Sequence, residues 1–220
     1  MPARCTLQRA GFFTGSMGEA RAMKPLVWST HVWLTVMALA ATTLLAAVAP
    51  AAEETGAMPK FTLTSTDFTE GSTLANAQVF NEFGCKGGNL SPALAWSGAP
   101  AGTQSFALLM HDPDAPTGSG WWHWLVYNIP PDTSSLPAGA GDPKKGLMPK
   151  GAVQGRTDYG TAGYGGPCPP PGKPHHYNFT LYALKVPKLE VPEGASAALI
   201  GFNARAHALA EARLTGMYGR

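Results

Sequence analysis

The stretch that decides the fold of this chain runs from residue 104 to residue 129 and reads QSFALLMHDPDAPTGSGWWHWLVYNI. Its two ends, Gln104–His111 and Trp121–Ile129, are mostly aliphatic and aromatic, and they predict two buried strands. Between them the segment Asp112–Pro116, DPDAP, places two carboxylates where two prolines stiffen the backbone, because proline fixes φ at about −65° and restricts the preceding residue. We therefore expect this connection to form one wall of a pocket.

Two further segments predict strands. Lys60–Ser65 alternates polar and apolar residues, and Tyr177–Val186 is a mostly apolar run. The chain contains 26 glycines and 20 prolines, which is typical of an all-β domain with many turns.

One helix is predicted near the C-terminus. Apolar residues recur at roughly helical spacing over Ala197–Leu214, and Gly216 follows as a stop signal. The expected architecture is dominated by β-structure: a β-sandwich with short peripheral helices and this C-terminal helix. The apolar residues of the predicted helix are Leu199, Phe202, Ala206, Leu209 and Leu214.

The first 52 residues are typical of an export signal. No Lys, Arg, Asp or Glu occurs between Lys24 and Glu53, and the apolar run between them ends in small residues. This pattern predicts a secretory signal peptide over residues 23–52, with residues 1–22 arising from a gene-start error upstream of Met23. An uncleaved membrane anchor is the alternative, since the apolar run approaches the roughly 20 residues that a membrane helix needs.

Residues 53–220 are numerous enough for one domain with a substantial core, here predicted to be the ligand-binding domain. Four of the 16 lysines and arginines and one of the 14 acidic residues precede residue 53, so the domain is near −1 in net charge although the whole chain is +2. No basic stretch interleaved with aromatic residues argues for nucleic acid as a partner. Signal-peptide cleavage would give a periplasmic or secreted protein.

Cys85 and Cys168 are the two cysteines of this domain. In an oxidising compartment they can form a disulfide bond. Such a bond would close a loop of about 84 residues and stabilise the fold by roughly 4–5 kcal/mol in the chain-entropy description. A pair of buried free thiols is the alternative, and the sequence leaves both open.

Polar residues that can carry chemistry follow the opening segment. In the strand after it, alternation of side chains places Trp121, His123 and Leu125 on one face. A carboxylate at Asp112, next to this face, suits either binding or acid–base chemistry. His111 and His207 are expected to be structural.

The second half of the domain adds a glycine-rich loop and a second histidine. Gly155–Gly172 holds six glycines and four prolines, and such a loop can expose backbone N–H groups to a ligand. His175 and Tyr177 would point the same way at the entry to the next strand.

Taken together, these motifs resemble the phosphatidylethanolamine-binding protein (PEBP) family, and within it the bacterial Raf-kinase-inhibitor-like branch. The resemblance covers about residues 60–218 and rests on several motifs in order. They are Asn89-Leu90-Ser91-Pro92-x-Leu94-x-Trp96, DPDAP at 112–116, Gly118–Trp124 with Asn128-Ile129-Pro130, Tyr164-x-Gly166-Pro167-x-Pro169-Pro170, His175-x-Tyr177 and Leu181–Leu184.

The resemblance implies a β-sandwich with a small pocket that binds phosphate or the phosphoryl head group of a phospholipid, with no cofactor and no enzyme activity. It leaves open a peripheral membrane contact and modulation of a protein partner, but the kinase partners of animal members do not carry over. Trp122 departs from animal members, which often have a second histidine there. By position, the ligand-binding residues are Asp112, Pro113, Asp114, Trp121, His123, Gly166, Pro169, His175 and Tyr177.

The chemistry of these residue types suits a phosphoryl ligand. Histidine and tyrosine donate hydrogen bonds to phosphoryl oxygens, and protonated histidine would strengthen them. A carboxylate at Asp112 would repel the same group, so we expect it to orient a histidine N–H and favour the charged form of that histidine. Phosphate esters should therefore bind more tightly at about pH 6 than at about pH 8.

Two other functions stay open. Two histidines and a carboxylate also suit a metal site, so a zinc- or iron-dependent hydrolase or oxygenase with Asp112, His123 and His175 as ligands is the alternative. The sequence has no His-x-His or His-Glu-x-x-His pair to anchor a metal, and no Gly-x-Ser-x-Gly nucleophile motif. A further alternative is an exported protein that acts on a partner through its surface.

Overall fold

The computed structural model describes residues 60–220, which fold into two antiparallel sheets and one α-helix. The predicted gene-start extension (1–22), the signal peptide (23–52) and the first residues of the predicted domain (53–59) lie outside the described residues. Within the described range, no helix has the length and apolar character needed to cross a membrane.

The described part contains eight strands and one helix in chain order. The smaller sheet has the order β1-β2-β5 and the larger sheet the order β6-β4-β3-β7-β8, with every neighbouring pair antiparallel. A 3-10 turn at Pro143–Lys145 is the other helical element. The elements are β1 Thr62–Ser65, β2 Leu94–Ser97, β3 Ser105–Asp112, β4 Trp121–Ile129, β5 Ser135–Leu136, β6 Val153–Gln154, β7 His175–Leu184, α1 Ala197–His207 and β8 Ala208–Tyr218.

The four predicted strands are confirmed as β1, β3, β4 and β7. β4 has the predicted bounds, and the others differ by no more than two residues at either end. The predicted β-sandwich is confirmed as well, because the main apolar core lies between the two sheets. In that core Phe106, Leu108 and Met110 of β3 pack with Leu94 and Trp96 of β2.

The opposite face of the larger sheet carries a second apolar cluster beneath α1. Ala107 and Leu109 of β3 pack there with Ile200 and Ala204 of the helix. β3 is therefore buried on both faces, which explains why its sequence is almost continuously apolar.

The predicted helix over Ala197–Leu214 is wrong beyond His207. From Ala208 the chain continues as β8, which pairs with β7 along its whole length. Burial alternates there, so that Ala212 and Leu214 face the core while Arg213 is exposed. Hydrogen bonds to β7 and this two-residue period outweigh the helix propensity of the alanines.

The helix that does form buries residues other than the apolar ones from which it was predicted. Ser196 caps its start by accepting a hydrogen bond from the backbone N–H of Leu199 at 3.2 Å. Ala197, Ile200 and Ala204 are buried, whereas Phe202, one of the apolar residues on which the helix was predicted, is 71% exposed.

Candidate ligand-binding site

A cavity of about 220 Å³ opens where the end of β3 and the starts of β4 and β7 meet the glycine-rich loop. We call it the Asp112 cavity. Its apolar rim includes Phe83, Pro116, Pro169 and Pro170. Its polar lining consists of Asp112, Thr117, Trp121, His123, Tyr159, His175 and Tyr177.

An irregularity in the pairing of β3 with β4 turns His123 toward this cavity. Met110 pairs with Trp124 and His111 with Trp122, so the residue between those partners is the extra one of a β-bulge. Bulges commonly re-aim a side chain beside a functional site. The prediction that Leu125 shares the face of His123 is wrong for this reason, because Leu125 packs in the cluster beneath α1.

Asp112, at the end of β3, uses both carboxylate oxygens in hydrogen bonds although it is only 2% exposed. Oδ1 accepts from the backbone N–H groups of Asp114 at 2.9 Å and Ala115 at 3.2 Å. Oδ2 accepts from Nδ1 of His175 at 2.8 Å. The carboxylate therefore holds both the turn after β3 and the imidazole of His175.

His123 has its tautomer fixed by the glycine-rich loop. Its Nδ1 lies 2.7 Å from the carbonyl oxygen of Gly165, and because a carbonyl can only accept, Nδ1 carries the hydrogen. Nε2 of the neutral ring is then an acceptor, and it is buried with no partner among the described residues.

Burial lowers the pKa of His123 to about 4, although the Gly165 carbonyl and the Asp112 carboxylate oppose this shift. The ring is therefore neutral at about pH 6. His123 is therefore not a charged donor near that pH, because desolvation of the charged ring outweighs the nearby carboxylate.

Two further polar atoms at the cavity are buried and find no partner in the described part of the chain. They are Nε1 of Trp121 and the hydroxyl oxygen of Tyr177. The Tyr177 ring packs edge-on against His123, with ring centroids 5.1 Å apart. Burial raises the pKa of Tyr177, and Asp112 adds to the rise, so its hydroxyl stays protonated and can donate.

Three of the predicted ligand-binding residues do not line the cavity: Pro113, Asp114 and Gly166. Asp114 turns outward, where its Oδ2 accepts from the backbone N–H of His176 at 2.8 Å and from Nδ1 of His176 at 2.7 Å. These hydrogen bonds lower the pKa of Asp114.

Gly166 has a structural reason to be glycine. A Cβ there would collide with the carbonyl oxygen of Gln78, so only glycine allows the two backbones to approach this closely. Its N–H donates to Oδ1 of Asn89 at 2.8 Å. Gly166 thus holds the glycine-rich loop in place, and Gly165 next to it presents the carbonyl that orients His123.

A model of the family described as "Phosphatidylethanolamine-binding protein" matches residues 64–219. The chain belongs to this family. It is 52% identical over 159 residues to the UPF0098 protein YbcL of Escherichia coli, which covers 72% of this chain and 87% of YbcL. The crystal structure of E. coli YbcL, titled a new member of the mammalian PEBP family, superposes with a TM-score of 0.71 over 73% of this chain and 98% of that one.

Two more distant proteins also match. A PEBP homologue from Chlamydia trachomatis has a TM-score of 0.61 at 34% identity, over 73% of this chain and 97% of that one. The Mycobacterium tuberculosis protein named "Putative lipoprotein LppC" is 39% identical over 171 residues, covering 77% of this chain and 75% of LppC.

Sequence reasoning missed Tyr159 as a residue of this PEBP-family cavity. Its hydroxyl donates to the Gly166 carbonyl at 2.9 Å, and its ring centroid lies 5.4 Å from that of Trp121 and 5.5 Å from that of His123. The available signal was an aromatic residue inside the glycine-rich run. Tyr164 gives the same signal but bonds Gln78 away from the cavity, so the sequence could not choose between them.

A disulfide bond between Cys85 and Cys168 joins the glycine-rich loop to the segment that carries Phe83. Cys168 lies on the cavity wall, and Phe83 stands at the rim, 66% exposed and with a φ of 54°. The bond therefore ties together two sides of the cavity mouth.

The histidines expected to be structural make hydrogen bonds to backbone carbonyls. His111 Nε2 donates to Ser119 at 3.0 Å, and His207 Nδ1 donates to Asn203 at 2.9 Å. Within residues 60–220, no group of three His, Cys, Asp or Glu side chains could hold a metal ion. The metal-enzyme alternative therefore gains no ligand set from the described residues.

Proposed function

We propose that this PEBP-family protein binds a phosphoryl group, of a small phosphate ester or of a phospholipid head group, in the Asp112 cavity. One observation carries the proposal: Trp121, His123 and Tyr177 line one cavity, and their Nε1, Nε2 and Oη atoms are buried without a partner among the described residues. A buried polar group without a hydrogen bond costs about 1–3 kcal/mol. A ligand that satisfies all three atoms would recover that free energy on binding.

The size and charge of the cavity favour a small ligand group with little net charge. About 220 Å³ is below the range of drug-sized sites, so it suits a head group and not a whole phospholipid. The apolar rim of Phe83, Pro116 and Pro169 suits the organic part of an ester. The negative charge of Asp112 is partly compensated by the three N–H groups that it accepts from.

We propose binding and not catalysis, because the polar groups are arranged to hold a ligand. Asp112 is the one carboxylate among the described residues of the cavity wall, and both its oxygens accept from the protein's own N–H groups. It therefore has no free oxygen for a substrate proton, and we assign the lone pair of His123 Nε2 to a hydrogen bond with the ligand.

The experiment is a titration with inorganic phosphate and with phosphoethanolamine, followed by ³¹P NMR. Tyr177→Phe removes one hydroxyl at the cavity and should weaken the binding of both by about fivefold to tenfold, the value of one hydrogen bond to an anion. Tyr127→Phe removes a hydroxyl from a side chain that packs in the cluster beneath α1, and it should leave binding unchanged. Equal affinity of all three proteins, or no binding at all, would contradict the proposal.

We further propose that the protein is exported. The Cys85–Cys168 bond is typical of oxidising compartments, the N-terminal sequence has the pattern of a signal peptide, and one relative is named as a lipoprotein. Mass spectrometry of the protein from a periplasmic fraction should find an N-terminus between Pro50 and Glu53 and a gain of two hydrogens on reduction. A cytoplasmic protein that begins upstream of Met23 would contradict this.

Modulation of a protein partner stays an expectation from the family resemblance. The feature that such a partner could use is Phe83, because it is exposed at the rim and linked to the cavity wall through the adjacent disulfide. A partner that distinguishes occupied from unoccupied protein should lose that distinction in Phe83→Ala, as measured by the difference in its affinity with and without phosphate.

A further inference from the structure

The three unpartnered atoms of the Asp112 cavity are not equivalent. The indole N–H of Trp121 and the hydroxyl of Tyr177 donate, so they call for acceptor oxygens on a ligand. His123 Nε2 is different, because the Gly165 carbonyl holds the ring hydrogen on Nδ1 and leaves a lone pair on Nε2. The ligand that matches the cavity therefore brings two acceptors and one donor.

Phosphate esters differ in whether they can supply that donor. A phosphomonoester that carries one proton has a P–OH group beside its acceptor oxygens, whereas a phosphodiester has acceptor oxygens only. Resting on the proposed function, we propose that the Asp112 cavity selects phosphomonoesters in their singly protonated form over phosphodiesters. The P–OH donates to His123 Nε2, and the other oxygens accept from Trp121 and Tyr177. Of the two ligands of the proposed function, a small phosphomonoester is therefore favoured over an intact phospholipid, whose phosphoryl group is a diester.

The charge of the site points the same way. None of the described residues that line the cavity is a lysine or an arginine, and a carboxylate, Asp112, lies on its wall. Such surroundings suit one negative charge on the ligand better than two. A phosphomonoester has its second pKa at about 6, so it binds as the singly charged form below that pH and takes up a proton on binding above it.

The groups that face His123 act on its protonation in opposite directions, since the carbonyls of Gly165 and Gly166 favour the charged ring and burial opposes it. Tyr159 from the glycine-rich loop and Tyr177 from β7 pack edge-on against its ring. From β3, Asp112 favours the protonated ring and His111 disfavours it. Burial outweighs these effects and lowers the pKa of His123 to about 4, so the ring is neutral at ordinary pH. The ring would have to take up a proton from solvent before it could donate to a diester.

Ethyl phosphate and dimethyl phosphate provide a matched test, because they are isomers and both carry one negative charge at about pH 5. Only ethyl phosphate has a P–OH group. To donate to the diester, His123 must be protonated at a pH about one unit above its pKa, which lowers the affinity about tenfold. Ethyl phosphate should therefore bind at least about tenfold more tightly than dimethyl phosphate. Equal affinity would overturn this inference and leave the proposed function standing. Binding of neither isomer would overturn both.

Two variants separate the acceptor from the donors. His123→Gln places an amide that can present either its acceptor oxygen or its donor N–H to the ligand. The preference for ethyl phosphate should therefore fall to within about threefold. Tyr177→Phe removes a donor that both isomers use, so it should weaken both equally and keep the preference. Loss of the preference in Tyr177→Phe and its retention in His123→Gln would overturn the assignment.

Proton uptake by the wild-type protein is a test that needs no variant. Calorimetry in two buffers of different ionisation enthalpy should give uptake of about no proton for ethyl phosphate at pH 5 and about one at pH 8. Binding of the dianion at pH 8 without proton uptake would overturn the proposal.

Discussion

Two aspartate–histidine pairs join the same two segments of the chain in different surroundings. Asp112 and His175 meet at 2.8 Å, and Asp114 and His176 meet at 2.7 Å. The side chains of the first pair are 3% and 12% exposed, and those of the second are 41% and 53% exposed. Nearly identical hydrogen bonds therefore lie in a low-dielectric site in one case and in water in the other.

The difference shows how one short motif does two things. The inner pair forms part of the Asp112 cavity, because its carboxylate also accepts from two backbone N–H groups and cannot rotate away. The outer pair fastens the same turn to β7 from the solvent side. Spacing two carboxylates one residue apart around Pro113 turns one inward and the other outward.

The largest expected effect comes from removing the inner carboxylate. Asp112→Ala leaves His175 and two backbone N–H groups without their acceptor, so it should lower the free energy of unfolding by about 3–5 kcal/mol. It should also weaken phosphate binding, because the turn that forms one wall of the cavity loses its anchor. Urea unfolding of Asp112→Ala beside Asp114→Ala measures the contrast. Equal losses of stability in the two variants would show that burial does not separate the pairs.

The next effect concerns His123, whose partner is a carbonyl and not a carboxylate. Its pKa is about 4 in the folded protein and about 6.5 when exposed, so the unfolded chain binds the proton first as pH falls. The neutral ring of His123 thus contributes to the free energy of unfolding in full above about pH 6.5. This contribution, about 3 kcal/mol in total, is lost as the pH falls toward 4. Urea midpoints measured across this range should fall less steeply in His123→Gln than in the wild type. Parallel curves would contradict the lowered pKa.

The outer pair should give a small effect. Asp114→Ala is expected to lower the free energy of unfolding by less than about 1 kcal/mol, because solvent screens the pair. Since the pKa of Asp114 is lowered, its contribution is present above its ordinary pKa of 3.8 and disappears as the pH falls through the lowered value. Adding salt to about 1 M should shrink the difference from the wild type further. A salt-independent loss of several kcal/mol would instead make this pair part of the core.

The strands on either side of the DPDAP segment could be predicted because buried strands have an almost continuously apolar composition. β4 has the predicted bounds, and β3 differs by one residue at each end. β8 was missed because its inward positions include Ala210, Ala212 and Leu214, and alanines at alternate positions also suit a helix. Only the pairing with β7, a long-range contact, decides between the two.

The site could be predicted in part for the same reason. Asp112, His123, His175 and Tyr177 were identified from their motifs, and the structure brings them to one cavity. The bulge that turns His123 inward depends on the register of two strands, which local sequence does not reveal. The lowered pKa of His123 depends on burial by residues from distant segments, so the sequence suggested a charged donor where the structure has a neutral acceptor.

We propose that the buried polar atoms at the Asp112 cavity, which have no partner among the described residues, are left for a ligand. Measuring both the free energy of unfolding and the affinity for phosphate in Tyr177→Phe is the decisive experiment. We expect a stability that is unchanged or up to about 1 kcal/mol higher, because a buried hydroxyl without a partner is removed, together with weaker phosphate binding. A variant that is less stable but binds phosphate as tightly as the wild type would contradict it.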